Sequence, residues 1–543
     1  MVPADQVEIE DVNLLTSPPA PPTLPQSPPS RLAGTLTIFA CTISGGLLTL
    51  PCIFAEAAIV PSLCLILASA VTTGCSLLAL VLLSDLNEQV VNYGSLIGWL
   101  FAPRQCRRLS LAFCNKKFKA QALQNASSRC KHSRDHRNKC AEKSLEFVVG
   151  LFLVGVLGGS FIIVHDYMAE TFQGNALAGD ISTVTIAFFI SLIALPKDIK
   201  KLAFAAKCSV FAFSFLVFTF VYYGTEQLTN PENGNVARLP WWPMMQADFL
   251  KNQTKGNHTV TQILPSHPKN EWTSIGKSLP PILYAFGCQI QVFDIFKGVL
   301  AGRTNGMSAP MESAIADTLF FMPSIVGAVS MMCLTFALVG VFGVVTFSDT
   351  GAPISGDVLV MLVSKGALGN VARGVLVVAC ILSAPLVVHP TRHCLYSMLR
   401  YIALRGKTDT QSESSVVTNA MLTFGIVAAS AGLVLLRIDF LSLVGALGTF
   451  IASPLFFVVP GIALLVTLRE HVDKGETGLL EEGLVEGGMS TAEKERATCS
   501  SRLQPVRPTL NRHEAILLCV VAVWLVCVGI ATFALNMYQR YSS

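Results

Sequence analysis

The chain has 543 residues, of which 52% are hydrophobic and only 14% are charged, and its net charge is +4. Soluble domains carry about 25% charged residues, so a soluble enzyme, a nucleic-acid-binding protein and a disordered regulator are excluded as the main class. The composition instead predicts an all-α polytopic membrane protein.

Residues 1–30 come first and read differently from the rest of the chain. They are rich in proline and hold four acidic residues but no Lys or Arg. This composition predicts a disordered cytosolic tail rather than a signal peptide. A run of prolines at 18–22 offers a ligand for a proline-reading domain, although a solvated tail is the simpler interpretation, and no protein partner is assigned.

Eleven apolar stretches follow, and a bilayer-crossing helix needs about 20 residues of this kind. These predicted spans are 33–57, 60–84, 145–167, 180–196, 203–223, 275–297, 314–347, 371–398, 416–436, 441–467 and 513–536. Their apolar runs are continuous rather than alternating, which excludes a β-barrel. Most of the 39 Lys and Arg residues fall in alternate loops, so the positive-inside rule predicts a cytosolic N-terminus and a C-terminus outside.

The three long loops have different predicted roles. Residues 85–144 form a basic cytosolic loop, and 468–512 form a disordered cytosolic loop. Residues 224–274 form an extracellular or lumenal loop in which Asn252 and Asn257 begin sequons for N-glycosylation. The plasma membrane is the expected location, and a lysosome- or vacuole-like organelle is the alternative.

The cysteines give no metal site and no disulfide. Sixteen are present, but none falls in a predicted outer loop. A Cys/His group in the basic loop fits no standard zinc spacing: Cys114, Cys130, His132, His136 and Cys140. We therefore expect no cofactor other than a coupling ion. Clustered His or Asp motifs of a transmembrane enzyme are also missing, so no enzymatic activity is expected.

The first span contains a break in its apolar helix. Gly45 and Gly46 stand together in mid-span, and Pro51 follows five residues later. Freed backbone groups are tolerated in a membrane only where they line a cavity or meet a ligand. Half-helix ends then present N–H groups to a carboxylate and C=O groups to a cation, which suits an α-amino acid. The alternative is close helix packing through small residues.

The sixth span carries a second irregularity. Gln289, Gln291 and Asp294 lie in an otherwise apolar stretch, where polar groups are costly unless they face a cavity. Two interrupted spans five helices apart are what an inverted 5+5 repeat produces, with its binding site at the midplane.

Other polar groups in the spans need partners: Glu56, His165, Asp166, Lys207 and Ser383. Glu56 and Asp166 are otherwise interfacial. Lys207 otherwise snorkels to the inner surface. Ser383 otherwise bonds a backbone carbonyl one turn back.

Six motifs, in order and spacing, resemble the amino acid/auxin permease family over nearly all of 31–536. They are Ser44 to Pro51, Ile162 to Asp166, Leu195 to Leu202, Phe286 to Gln289, Val345 to Phe347 and Pro385 to Arg392. Two positions depart from the family pattern, since Ser44 and His165 each replace a glycine. The sixth span and the long N-terminal tail are most similar to the protozoan branch.

The resemblance implies the leucine-transporter type of inverted repeat plus one extra helix, and secondary active uptake of amino acids coupled to H⁺ or Na⁺. It implies two groups of substrate-binding residues. The first group is Ser44, Gly45, Gly46 and Leu47 in span 1. The second is Phe286, Gly287, Cys288 and Gln289 in span 6, to which we add Gln291 as a polar residue of the same stretch. Ser383 occupies the place of a threonine sodium ligand. Ala40 stands where sodium-coupled members have an asparagine, so one oxygen ligand is missing and H⁺ is favoured.

The candidate ion-coupling residues are therefore Asp166, Lys207, Asp294 and Ser383. A cationic substrate would need an acid in the pocket, such as Asp294 or Glu56, whereas a small neutral one needs only apolar walls. We favour neutral amino acids, because Asp294 is expected in the inner half of its helix. A transporter-like amino acid sensor is the alternative function, since it would share the fold.

Overall fold

The computed structural model describes most of the membrane domain. The described residues are 31–42, 45–87, 90, 92–101, 120–172, 175–195, 203–229, 271–304, 314–348, 354, 358–403, 416–470 and 512–542. The predicted N-terminal tail and most of the predicted loops 224–274 and 468–512, with Asn252 and Asn257, lie outside these ranges. Ser44 and the side chain of Lys207 lie outside the description as well.

Every regular element in the described ranges is helical. In chain order the helices are α1 (Arg31–Thr42), α2 (Leu50–Ala57), α3 (Ile59–Leu86), α4 (Tyr93–Phe101), α5 (Ala120–Thr171), α6 (Ala176–Ala194), α7 (Ala203–Thr229), α8 (Glu271–Ala285), α9 (Val292–Thr304), α10 (Ala314–Phe347), α11 (Val358–Met361), α12 (Ala367–Ala403), α13 (Val416–Leu435), α14 (Phe440–Glu470) and α15 (Arg512–Ser542). Short 3₁₀ turns join several of them. The prediction of an all-α polytopic protein is confirmed.

Ten helical segments of the described chain are long and apolar enough to cross a membrane. The first predicted span is additional to these, because it is divided between α1 and α2, which are too short to qualify singly. Eleven crossings therefore stay a prediction. Large apolar side chains on one face of α6 support the bilayer setting, since Leu177, Ile181, Val184 and Phe188 are each more than half exposed. Such a stripe is stable against lipid and costly in water.

The spans pack in two groups. Spans 1, 2, 6 and 7 (α1 with α2, α3, α8 with α9, and α10) contact one another, and so do spans 3, 4, 8 and 9 (α5, α6, α12 and α13). Each group thus takes two helices from the first five spans and the two at equivalent positions in the next five. This is the grouping that two structurally repeated halves of five spans would give.

The basic segment before span 3 contains helices that composition did not indicate. Helix α4 lies between spans 2 and 3 and packs against α5. Helix α5 begins at Ala120, well before the apolar stretch that starts at 145. A charged sequence can continue an established helix because most of its residue types have good helix propensity, whereas hydropathy detects only the apolar part.

Span 10 is also irregular. Helix α14 contains two π-helical turns, Gly448–Ala452 and Pro454–Val458. A Cβ at Gly448 would clash with the backbone of Pro280 in α8, so the glycine allows close contact between spans 10 and 6. Pro454 removes a backbone donor, which is consistent with a local change of helical pitch.

Candidate functional site

The break in span 1 is a 3₁₀ turn, Gly45–Thr49, between α1 and α2. The hydroxyl of Thr49 donates to the carbonyl oxygen of Gly46 at 2.8 Å, which satisfies one backbone group freed by the break. Pro51 lies in the first turn of α2, where its missing N–H costs nothing. Leu47 is buried, so its side chain belongs to the packed interior.

The break in span 6 lies between α8 and α9. The N–H of Gly287 bonds to the oxygen of Tyr284 at 3.0 Å, and the N–H of Cys288 bonds to the oxygen of Phe286 at 2.9 Å. These short-range bonds replace the α-helical pattern until the 3₁₀ turn Gln289–Gln291. The chain therefore leaves α-helical geometry inside an apolar span, at the residues where the sequence predicted it.

The two breaks are in direct contact. A Cβ at Gly46 would lie 3.0 Å from Cα of Ala285 and 3.0 Å from the ring of Tyr284, at the end of α8. The glycine therefore serves close packing, as the alternative interpretation held, but it packs against the second break rather than against a regular helix. Close packing at Gly46 is thus observed, and its contact with a ligand stays a prediction.

Gln289 is the most informative side chain in this region. It is fully buried, and neither its amide nitrogen nor its amide oxygen has a hydrogen-bond partner among the described residues. A buried polar group without a partner costs about 1–3 kcal/mol, so such groups are retained where a ligand or water completes them. Its neighbour Cys288 is buried and Gln291 only partly exposed.

Aromatic rings surround the second break. The ring of Phe286 contacts that of Phe336 in span 7 edge to face, with centroids 4.8 Å apart. The ring of Phe152 in α5 meets both Tyr284 and Phe456, at 5.9 Å and 5.4 Å. A Cβ at Gly287 would lie 3.0 Å from the ring of Phe456. The residues just before Gln289 are therefore packed among aromatic rings.

Tyr93 was not predicted from the sequence, because it lies in a segment interpreted as a loop. It begins α4, and its ring packs edge to face on Phe293 at 5.6 Å between centroids. Its hydroxyl is buried and has no partner among the residues described. Burial raises the pKa of Tyr93, and the neighbouring Cys288 thiol raises it further. The phenol therefore stays protonated, and its hydroxyl hydrogen is available to donate a hydrogen bond near the second break.

The remaining predicted residues are Asp294, in the first turn of α9 directly after the span 6 break, and Ser383 and Lys207 on other helices. Asp294 is exposed on α9, one helical turn before Lys297. The hydroxyl of Ser383 bonds to the oxygen of Cys380 in its own helix, at 3.2 Å, and its oxygen can still accept from or coordinate another group. Lys207 lies in α7. Their coupling roles stay predictions.

Asp166 belongs to a charged cluster at the end of α5 that the topology predicts to be outer. Its carboxylate lies 2.8 Å from Nδ1 of His165. Nε2 of the same ring lies 3.1 Å from Nη1 of Arg437 and 3.2 Å from Oδ1 of Asp180. Within the described residues, no group of three or more His, Cys, Asp or Glu residues could hold a metal ion.

Comparison with known families gives one match. The family described as "Transmembrane amino acid transporter protein" matches residues 28–477, a range that contains both breaks and the charged cluster. No curated protein matches the chain significantly.

Proposed function

The chain belongs to the transmembrane amino acid transporter family, and from this premise we propose that it moves amino acids by cation-coupled symport with H⁺ as the coupling ion. The observation that carries the proposal is the contact between two helix breaks beside a buried, unpartnered Gln289. A transporter-like amino acid sensor, the alternative function, would share this site, so only a transport assay distinguishes it from a transporter.

The breaks suit both charged ends of an amino acid. The start of α2 follows the span 1 break and the start of α9 follows the span 6 break, so helix N-termini and freed carbonyls meet in one region. Helix N-termini favour a carboxylate, and freed carbonyls favour an ammonium group. Gln289 adds a donor and an acceptor to the same region.

A neutral substrate is favoured over a cationic one. A cationic side chain would need a desolvated carboxylate in the pocket, but Asp294 is exposed on α9, and the carboxylate of Glu56 on α2 accepts from the thiol of Cys52 at 3.8 Å. The walls near Gln289 are instead aromatic, from Phe286, Phe336 and Tyr284.

Proton coupling is favoured over sodium coupling. A sodium site needs several oxygen ligands at short distance, but Ala40 supplies no side-chain oxygen. We further propose a plasma-membrane location with the N-terminus inside, and glycans at Asn252 and Asn257, which deglycosylation of surface-labelled protein tests.

Counterflow in proteoliposomes tests the function itself. Vesicles preloaded with one unlabelled amino acid are given the same labelled amino acid outside, across a panel of neutral, cationic and acidic substrates. We expect exchange of neutral amino acids. Binding without exchange for every member of the panel would identify a sensor instead and refute the transporter.

The coupling ion is tested with the same vesicles. An imposed pH gradient, acid outside, should drive accumulation without Na⁺. Accumulation that follows a Na⁺ gradient at fixed pH and ignores the pH gradient would refute H⁺ coupling, while leaving amino acid transport itself intact.

A further inference from the structure

His165 lies at a junction of three parts of the membrane domain. It is on α5 next to Asp166, it faces Asp180 on α6, and it faces Arg437 in the connection between α13 and α14. The side chain of His165 is 8% exposed and that of Arg437 is 51% exposed. A buried imidazole is therefore linked to water by a partly solvated guanidinium group.

The hydrogen bonds of the imidazole define its charge state. The carboxylate of Asp166 can only accept, so Nδ1 must carry the hydrogen in the 2.8 Å contact. Arg437 can only donate, so Nε2 must offer its lone pair in the 3.1 Å contact. The ring is consequently neutral in this arrangement.

Asp180 contacts both Arg437 and His165, each through a different carboxylate oxygen. Its Oδ2 accepts from Nη2 of Arg437 at 2.7 Å, whereas its buried Oδ1 has no hydrogen-bond partner although Nε2 of His165 is 3.2 Å away. The two atoms are not aligned for a hydrogen bond in this arrangement, because Nε2 faces Nη1 of Arg437 instead. A proton on Nε2 would be attracted to this carboxylate.

Proton binding therefore exchanges one partner of His165 for another. The protonated Nε2 no longer accepts from Arg437, which it now repels, and a small reorientation of the ring lets it donate to Oδ1 of Asp180, 3.2 Å away. With two carboxylates and one guanidinium, the cluster carries one net negative charge before this step and none after it.

Three other charged side chains described near this end of the domain have partners outside the cluster. Glu170, one turn along α5, pairs with Arg373 of α12, whose guanidinium also lies over the ring of Tyr167. Asp439 caps α14 by accepting from the N–H of Ser442. A Cβ at Gly179 would lie 2.9 Å from Nε2 of His165, so the absence of a side chain at 179 leaves room for the imidazole ring.

Arg437 is connected to the site by a short mechanical path. It precedes α14 by three residues and has a left-handed backbone, with φ 55°. The first turns of α14 pack on glycines of α5 through Phe440 and Leu447, and Gly448 packs on Pro280 of α8. A change at Arg437 therefore acts on the helix that contacts span 6 just before its break.

We propose that His165, held between Asp166, Asp180 and Arg437, is the proton-binding site that couples uptake to the pH gradient. The proposal rests on the transport function proposed above. Binding of the proton moves the bond of Nε2 from Arg437 to Asp180 and releases the connection that leads into α14.

The decisive variant is His165→Gln, whose carboxamide can donate to Asp166 and accept from Arg437 but cannot titrate. We expect counterflow to persist at fixed pH while accumulation driven by a pH gradient is lost. His389→Gln is the matched control, since His389 also contacts an arginine, Arg392, at 3.0 Å but lies outside the cluster. It should keep gradient-driven accumulation.

Two further variants predict shifts of opposite sign in the pH dependence of uptake. Asp180→Asn removes a negative neighbour that attracts the proton, so the midpoint of the pH dependence of uptake moves to more acid pH by about one unit. Arg437→Asn removes a positive neighbour that repels the proton, so this midpoint moves to more alkaline pH by about one unit. Asparagine is chosen at 437 because it tolerates left-handed backbone.

The outcomes separate this proposal from the underlying function. No counterflow by the wild type refutes the transport function. Counterflow and full gradient-driven accumulation by His165→Gln refute the proton site alone. If that variant does not fold, shifts of the same sign or no shifts in the two charge variants refute it equally.

Discussion

Replacing Gln289 by methionine should make the substrate-free protein more stable and its transport worse. The side chain is fully buried and both polar atoms of its amide lack partners among the described residues. Methionine has a similar unbranched shape and fills irregular space well. The substitution therefore removes an uncompensated polar group without opening a cavity.

The magnitude follows from the cost of an unpaired buried polar group, about 1–3 kcal/mol. We expect a gain of about 2 kcal/mol in the free energy of unfolding, seen as a rise of roughly 2–4 °C in apparent Tm. If Gln289 bonds a charged group of the substrate, each bond contributes about 1.5–3 kcal/mol. Its loss should raise KM about ten- to a hundredfold.

Thermal unfolding of the purified protein in detergent, with and without a transported amino acid, measures both effects. The wild type should be stabilised by the ligand and Gln289→Met should not. Ser278→Ala is a suitable control, because Ser278 is a buried polar residue of the same span whose hydroxyl is bonded, to the oxygen of Ser274 at 2.9 Å. It should not raise Tm. A lower Tm for Gln289→Met, with unchanged KM, would show that the amide is satisfied within the protein and refute the reasoning.

Three further substitutions test the contacts around the breaks. Gly46→Ala places a Cβ 3.0 Å from the backbone of α8, so overpacking should cost about 1–3 kcal/mol of stability and abolish counterflow. Gly74→Ala is the control and should be tolerated, because its Cβ meets nothing within 4 Å. Equal activity of the two variants would contradict the close contact of the breaks. Tyr93→Phe removes only a buried hydroxyl without a partner among the described residues, so it should not lower Tm. It should raise KM if the phenol contacts the substrate, whereas an unchanged KM would show that Tyr93 serves packing alone. Asp294→Asn should change the rate of neutral amino acid uptake by no more than about twofold, because an exposed carboxylate contributes little. A complete loss of uptake would instead support the predicted role of Asp294 in ion coupling.

The sequence predicted the positions of both breaks, because their signals are local. Paired glycines followed by Pro51 weaken a helix whatever surrounds it, and glutamines in an apolar span are costly in any membrane protein. Continuous apolar runs predicted the spans for the same reason. The sequence could not indicate that Gly46 packs against Ala285, since the two residues are far apart in the chain and meet only in the fold.

The residues that the sequence missed or left ambiguous depend on distant partners. Tyr93 has no local signal, because only the packing of α4 against α5 brings it to Phe293. Asp166 had an interfacial interpretation available, and the surroundings of its neighbour His165 come from Asp180 and Arg437 on other elements. Asp294 had the right composition for a site, but its position on the α9 helix turns it to the exposed face.

Length, hydropathy and charge distribution by themselves determined that this is a polytopic helical membrane protein with breaks in its first and sixth spans. These properties arise from transfer of each segment into lipid, which depends on that segment alone. The tertiary structure decided which break meets which, which polar atoms stay without partners, and which charges gather around His165. Those outcomes depend on side chains brought together across the chain, and no local pattern encodes them.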